Sequence, residues 1–138
     1  MITEKNCVYL DPRTMKKFKV LIVDDNDFFR QTLKISLQGC FPTIVIEEAV
    51  DGAKALQKVD NSIPDLIFMD IRLPGENGLE LTKKIKTTHP NIIIFILTTY
   101  DIPEYQRAAS QCGADRFLSK SSLNPTGLED LVRFYANA

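Results

Sequence analysis

The stretch Leu66-Ile67-Phe68-Met69-Asp70 is five residues long, apolar for four of them, and ends on a carboxylate. A short apolar run without alternation suits a strand buried on both faces, and the acid at its end marks where such a strand leaves the core. The same grammar recurs on either side. Phe18-Lys19-Val20-Leu21-Ile22-Val23 runs into Asp24-Asp25-Asn26-Asp27, Thr43 to Ala49 is strand-like, Ile92 to Leu97 leads into Thr98-Thr99-Tyr100, and Arg116-Phe117-Leu118 is followed by Ser119-Lys120.

Helical spacing fills the gaps. Phe29, Leu33 and Leu37 form a core stripe from Asp27 to a stop at Gly39, and Ala53–Val59 and Leu79–Ile85 are helical, the latter ending before His89-Pro90. Asp101 is expected to cap a helix with Pro103 in its first turn and Gly113 as its left-handed stop. Thr126 to Tyr135 makes the last helix, and residues 1–17, broken by Pro12, form a leader of undefined structure before a domain at 18–138. Five βα units in succession imply an α/β fold, a doubly wound five-stranded parallel sheet with right-handed crossovers and helices on both faces.

Composition removes several function classes. Seventeen Lys and Arg against 18 Asp and Glu give a net charge of -1, so no basic field draws in a nucleic-acid backbone or an acidic membrane. The longest apolar run, Ile92–Leu97, is far short of the roughly 18–20 residues of a membrane helix. Cys7, Cys40 and Cys112 are odd in number and unclustered, which reads as free thiols in a reducing compartment. The expectation is a soluble cytoplasmic domain. His89 is isolated, against a Ser-His-Asp hydrolase, and Glu47-Glu48 reads as strand-end surface.

Ligands of doubly wound sheets sit beyond the carboxyl ends of the strands. There the chain places Asp24 and Asp25, Asp70, Thr98 and Lys120. Three carboxylates repel as water is excluded, and a hard cation such as Mg²⁺ is one way to keep them ionised.

Taken together, Val20–Asp25, Ala49–Leu56, Pro64–Gly75 with Asn77–Glu80, Leu97-Thr98 and Gly113–Lys120 resemble a response-regulator receiver domain of two-component signalling, over about residues 18–136. The resemblance implies the flavodoxin-like strand order 2-1-3-4-5. It implies that Asp70 accepts a phosphoryl group from a sensor histidine kinase or phosphotransfer protein, with Asp25 a direct Mg²⁺ ligand, Asp24 an outer one and the Arg72 carbonyl a backbone ligand. Lys120 and Thr98 would contact phosphoryl oxygens, and Thr98 and Phe117 would form a switch read out on the face of the fourth helix, fifth strand and last helix, a surface that could also pair two copies. The protein would then be a phosphoacceptor rather than an enzyme with turnover.

Three further expectations follow. Phe28 and Ile35, seven apart on the first helix, read as partly buried at its edge or as a kinase-docking face; Arg72 and Tyr100 flank the path of a hydrolytic water; and Ser121 stands where many relatives carry Pro. No room remains for a DNA-binding domain after Asn137-Ala138, so the chain reads as a stand-alone regulator or an excised receiver without nucleic-acid contacts of its own. Two competitors are a phosphatase with an Asp nucleophile in Asp24–Asp27, which leaves Asp70 unexplained, and an interaction module that is never phosphorylated. An acidic loop after the first strand excludes a flavodoxin, whose flavin phosphate needs donors there.

Overall fold

A computed structural model describes residues 17–136; the expected leader, apart from Lys17, lies outside the described residues. Five parallel strands, β1 (Lys19–Val23), β2 (Val45–Ala49), β3 (Leu66–Asp70), β4 (Ile93–Thr98) and β5 (Arg116–Ser119), stand in the order β2-β1-β3-β4-β5. The helices are α1 (Asp27–Cys40), α2 (Gly52–Asn61), α3 (Gly78–Thr88), α4 (Pro103–Gln111) and α5 (Pro125–Ala136). This is the doubly wound, flavodoxin-like α/β arrangement expected.

Alternation along the strands divides the core. Val20, Ile22, Leu66, Phe68, Phe95 and Leu97 pack with Leu33 and Leu37 of α1 and Leu128 and Val132 of α5. Leu21, Val23, Ile67, Met69, Ile94 and Ile96 face α2, α3 and α4. Central β3 is buried at all five positions because helices cover both its faces, whereas edge strand β2 is only partly buried until Ala49.

Local expectations fail at two points, and one short element goes unpredicted. Gly39 lies inside α1, and the helix ends at Phe41, whose N–H reaches the Leu37 carbonyl at 2.8 Å while its ring enters the core. Burial of that ring outweighs the stop signal of a glycine. Ile102, not Asp101, caps α4 ahead of Pro103; the Asp101 carboxylate instead accepts from Gln106 Nε2 at 3.0 Å. Pro74-Gly75 closes a short hairpin, Arg72–Leu73 with Glu76–Asn77, with Gly75 at φ 78, a feature that apolar periodicity does not signal. Gly113 does stop the chain after α4, at φ 95.

Thr82 on α3 is fully buried, and its hydroxyl has no hydrogen-bond partner among the described residues. A buried unpaired hydroxyl is destabilising, so Thr82→Val is expected to add about 1 kcal/mol of stability. Denaturant unfolding should show a higher midpoint at constant slope; a lower midpoint would mean that the hydroxyl is satisfied after all.

Candidate functional site

The carboxyl ends of β1, β3, β4 and β5 meet at one rim, and Asp24 is its most tightly held member. Its N–H donates to the Ala49 carbonyl at 3.1 Å, and its own carbonyl accepts from Arg30 Nη1 at 2.7 Å. Its Oδ1 accepts from the Asn26 N–H at 2.9 Å and its Oδ2 from Lys120 Nζ at 2.6 Å. The residue is 1% exposed, yet each of its polar groups has a partner, as a buried charge requires. Asn26 also caps α1 by accepting from the Phe29 N–H at 2.9 Å, which ties the start of the helix to the acidic loop.

Asp70, at the end of β3, is buried, and Asp25 is exposed. One carboxylate oxygen from each of Asp24, Asp25 and Asp70 lies within 4.8 Å of the others. Burial, with the Asp24 charge beside it, pushes the Asp70 carboxyl from an ordinary 3.8 up to about 6; Lys120 pulls the other way and Asp25 adds to the rise. Lys120 Nζ is 3.6 Å from Asp70 Oδ1, farther than from Asp24, and lies 4.4 Å from the centroid of the Phe29 ring.

Thr98 closes β4 one residue beyond Leu97, the neighbour of Asp70 across the sheet. Its hydroxyl accepts from the Tyr100 N–H at 2.9 Å, so it is engaged with its own loop. Phe117 pairs with Ile96 in register and packs half-buried against the α2–α4 side of the core. Thr98, two residues after Ile96, shares that face. Arg72 opens the hairpin after Asp70-Ile71, and its guanidinium carbon sits 4.1 Å from the Tyr100 ring centroid, joining two loops at the rim. Among the described residues no peptide bond is cis, Lys120-Ser121 included, and Cys40 and Cys112 are free thiols; Cys7 lies outside them.

Four residues here depart from what the sequence suggests. Glu48 is not strand-end surface: it accepts from Arg30 Nε at 2.9 Å and pairs with Lys34 at 3.2 Å, while Arg30 Nη2 meets Asp27 at 2.5 Å. An arginine in the buried row 30, 33, 37 of α1 was the available signal, because buried cations need partners. Phe29 is only half-buried, set under Lys120 rather than in the stripe's interior, and Phe28 and Ile35 are 81% and 67% exposed rather than tucked at the helix edge.

Residues 20–133 match the family described as response regulator receiver domain. The chain belongs to that family. Among curated proteins, this receiver domain is 31% identical over 115 residues to response regulator GacA of Pseudomonas syringae pv. syringae, covering 83% of the chain and 52% of that protein. It is 38% identical over 108 residues to the transcriptional regulatory protein YdfI of Bacillus subtilis, covering 78% and 50%. The chain thus spans about half the length of these relatives. A signal receiver domain of a DNA-binding response regulator from Colwellia psychrerythraea superposes with a TM-score of 0.83 at 26% identity, over 88% of this chain and all of that one.

Receiver domains are phosphoacceptors that bind Mg²⁺ at an acidic pocket and interact with histidine kinases or phosphotransfer proteins. Three converging carboxylates, one of them with its pKa driven up by burial and by the Asp24 charge beside it, are the oxygen-rich, negatively charged donor set that fits a hard divalent cation. Among the described residues, no helix is long and apolar enough to cross a membrane.

Proposed function

We propose that this receiver accepts a phosphoryl group on Asp70 from a phosphohistidine of a sensor kinase or phosphotransfer protein. The observation that carries the reading is the grouping of Asp24, Asp25 and Asp70 within 4.8 Å, with Lys120 in ion-pair range of both buried acids. An Asp70 oxygen attacks phosphorus as the P–N bond breaks, and the bonding pair stays on the imidazole nitrogen, which takes up a proton. Asp24, Asp25, Asp70 and the Arg72 carbonyl would hold Mg²⁺, which when bound supplies charge neutralisation at the phosphoryl oxygens. Lys120 offers its ammonium to another of those oxygens, and Thr98 exchanges its Tyr100 backbone contact for a third.

Movement of Thr98 frees space on the face it shares with Phe117, so the ring can turn inward, and a modest difference in contacts then shifts the balance of two states. The output surface is α4–β5–α5, which also serves a homodimer, and exposed Phe28 and Ile35 on α1 offer a kinase-docking face. Within this reading residues 18–138 are the receiver and 1–17 its leader, and it acts in the cytoplasm without nucleic-acid contacts or multiple turnover of its own.

Incubation with acetyl phosphate and Mg²⁺ is expected to add one phosphoryl mass, mapped to Asp70 and absent from Asp70→Asn. Label elsewhere, or label surviving in Asp70→Asn, would overturn the assignment. The stacked Arg72 and Tyr100 side chains form a bar across the approach of water. Replacing both (Arg72→Ala, Tyr100→Ala) is expected to hasten loss of the acyl phosphate roughly fivefold, the worth of about 1 kcal/mol. An unchanged decay rate in the double variant would remove that role.

A further inference from the structure

We propose that Phe29 is a positioning residue for Lys120, its ring serving as the seat over which the ammonium passes from Asp24 to the phosphoryl group. The inference rests on Asp70 being the phosphoacceptor. Lys120 Nζ has three neighbours in the site: Asp24 Oδ2 at 2.6 Å, Asp70 Oδ1 at 3.6 Å and the Phe29 ring centroid at 4.4 Å. Its side chain is only 12% exposed, so little water competes for it. The ring is well held, because the Asn26 side chain caps the first turn of α1 at the Phe29 N–H and the ring packs against the α1–α5 side of the core.

The two kinds of neighbour act differently. A hydrogen bond to Asp24 is short and directional, so it keeps the ammonium away from Asp70. Attraction to the face of a ring is broad, and persists as the cation slides by an ångström or so. When a phosphoryl group arrives, Lys120 must turn hydrogens from Asp24 toward the new oxygens; between the two partners its charge is least neutralised, so the ring's attraction is then strongest and offsets part of the energy of the broken hydrogen bond. An aliphatic side chain of similar bulk would fill the space without that attraction. The helix face that reads as core stripe in the sequence therefore reaches the chemistry at its first turn.

The test is a series of whole proteins in which residue 29 is phenylalanine carrying none, one, two or three ring fluorines, with Phe29→Leu beside them. Fluorine withdraws density from the ring face and nearly preserves its shape. With saturating Mg²⁺ and acetyl phosphate, the rate of Asp70 labelling is expected to fall stepwise with fluorine number, by about tenfold at three fluorines and similarly in Phe29→Leu. Mg²⁺ affinity and the thermal midpoint should hold steady across the fluorinated series. In a Lys120→Ala background the residual rate should no longer depend on fluorine. In metal-free protein, the ring-current shift of the Lys120 ε-methylene resonance should vanish in Phe29→Leu.

A flat rate across the fluorinated series, with Phe29→Leu still slow, would make Phe29 a packing residue and overturn the inference. Failure of the parent protein to be labelled at Asp70 at all is a different result, and would remove the phosphoacceptor reading together with it.

Discussion

Gly78→Ala is expected to destabilise the domain by about 3 kcal/mol and to leave Asp70 poorly labelled even where the variant remains folded. A β-carbon at this position would lie 1.9 Å from the Asp70 carbonyl oxygen, 2.9 Å from its carbonyl carbon and 3.0 Å from the Ile71 α-carbon. All three are backbone atoms, so no side-chain rotation relieves the clash. The Gly78 N–H also donates to the Ile71 carbonyl at 2.7 Å, fastening the start of α3 to the end of β3. Relief therefore requires α3 and β3 to separate, which moves Asp70 relative to Asp24 and Lys120. Gly39→Ala is the reference, since among the described residues no neighbour lies within 4 Å of a β-carbon there and the residue is helical. Comparable midpoints for the two variants in chemical denaturation would show that the close approach at Gly78 is relaxed in solution.

Mg²⁺ affinity is expected to weaken by about tenfold between pH 8 and pH 5, because Asp70 must lose its proton to act as a ligand and its carboxyl is pushed up to about 6. Without metal, the sign for stability is the opposite of the usual carboxylate. The folded-state pKa lies above the unfolded one, so the folded state binds the extra proton. The contribution is fully present at pH 3 and is lost as pH rises through 6. Asp70→Asn removes the ionisable group and is expected to stabilise the metal-free domain at pH 8 by on the order of 1 kcal/mol, after allowance for solvent screening. Melting temperatures at pH 5 and pH 8, with and without Mg²⁺, check both statements. A parent protein whose metal-free stability rises between pH 5 and pH 8 while that of Asp70→Asn stays level would show that Asp70 titrates low.

Each central strand announced itself as an unbroken apolar run because helices cover both its faces, and that condition is met in the chain's own order of residues. Legibility of the site followed from the same cause. Asp24, Asp70 and Thr98 stand where three such runs end, Lys120 follows the short edge strand β5, and a parallel sheet brings all its carboxyl ends to one rim. Helix ends were harder to read. At Gly39 and Asp101 a local signal pointed one way, while the burial of Phe41 and the placement of Pro103 carried the chain another.

Periodicity, charge and turn residues, all local properties, were enough to determine five βα units, a parallel sheet and an acidic rim with one ammonium. Which charge meets which was decided only in three dimensions. That Lys120 lies closer to Asp24 than to Asp70, that Glu48 holds Arg30 instead of facing water, that the Thr98 hydroxyl turns to its own loop and that Phe29 sits beneath an ammonium all depend on separations of 2.6 to 4.4 Å between groups remote in the chain or set by a loop's path. Hydrogen bonds and ion pairs inside a protein gain or lose most of their strength within an ångström or two, a scale that spacing along a sequence does not encode.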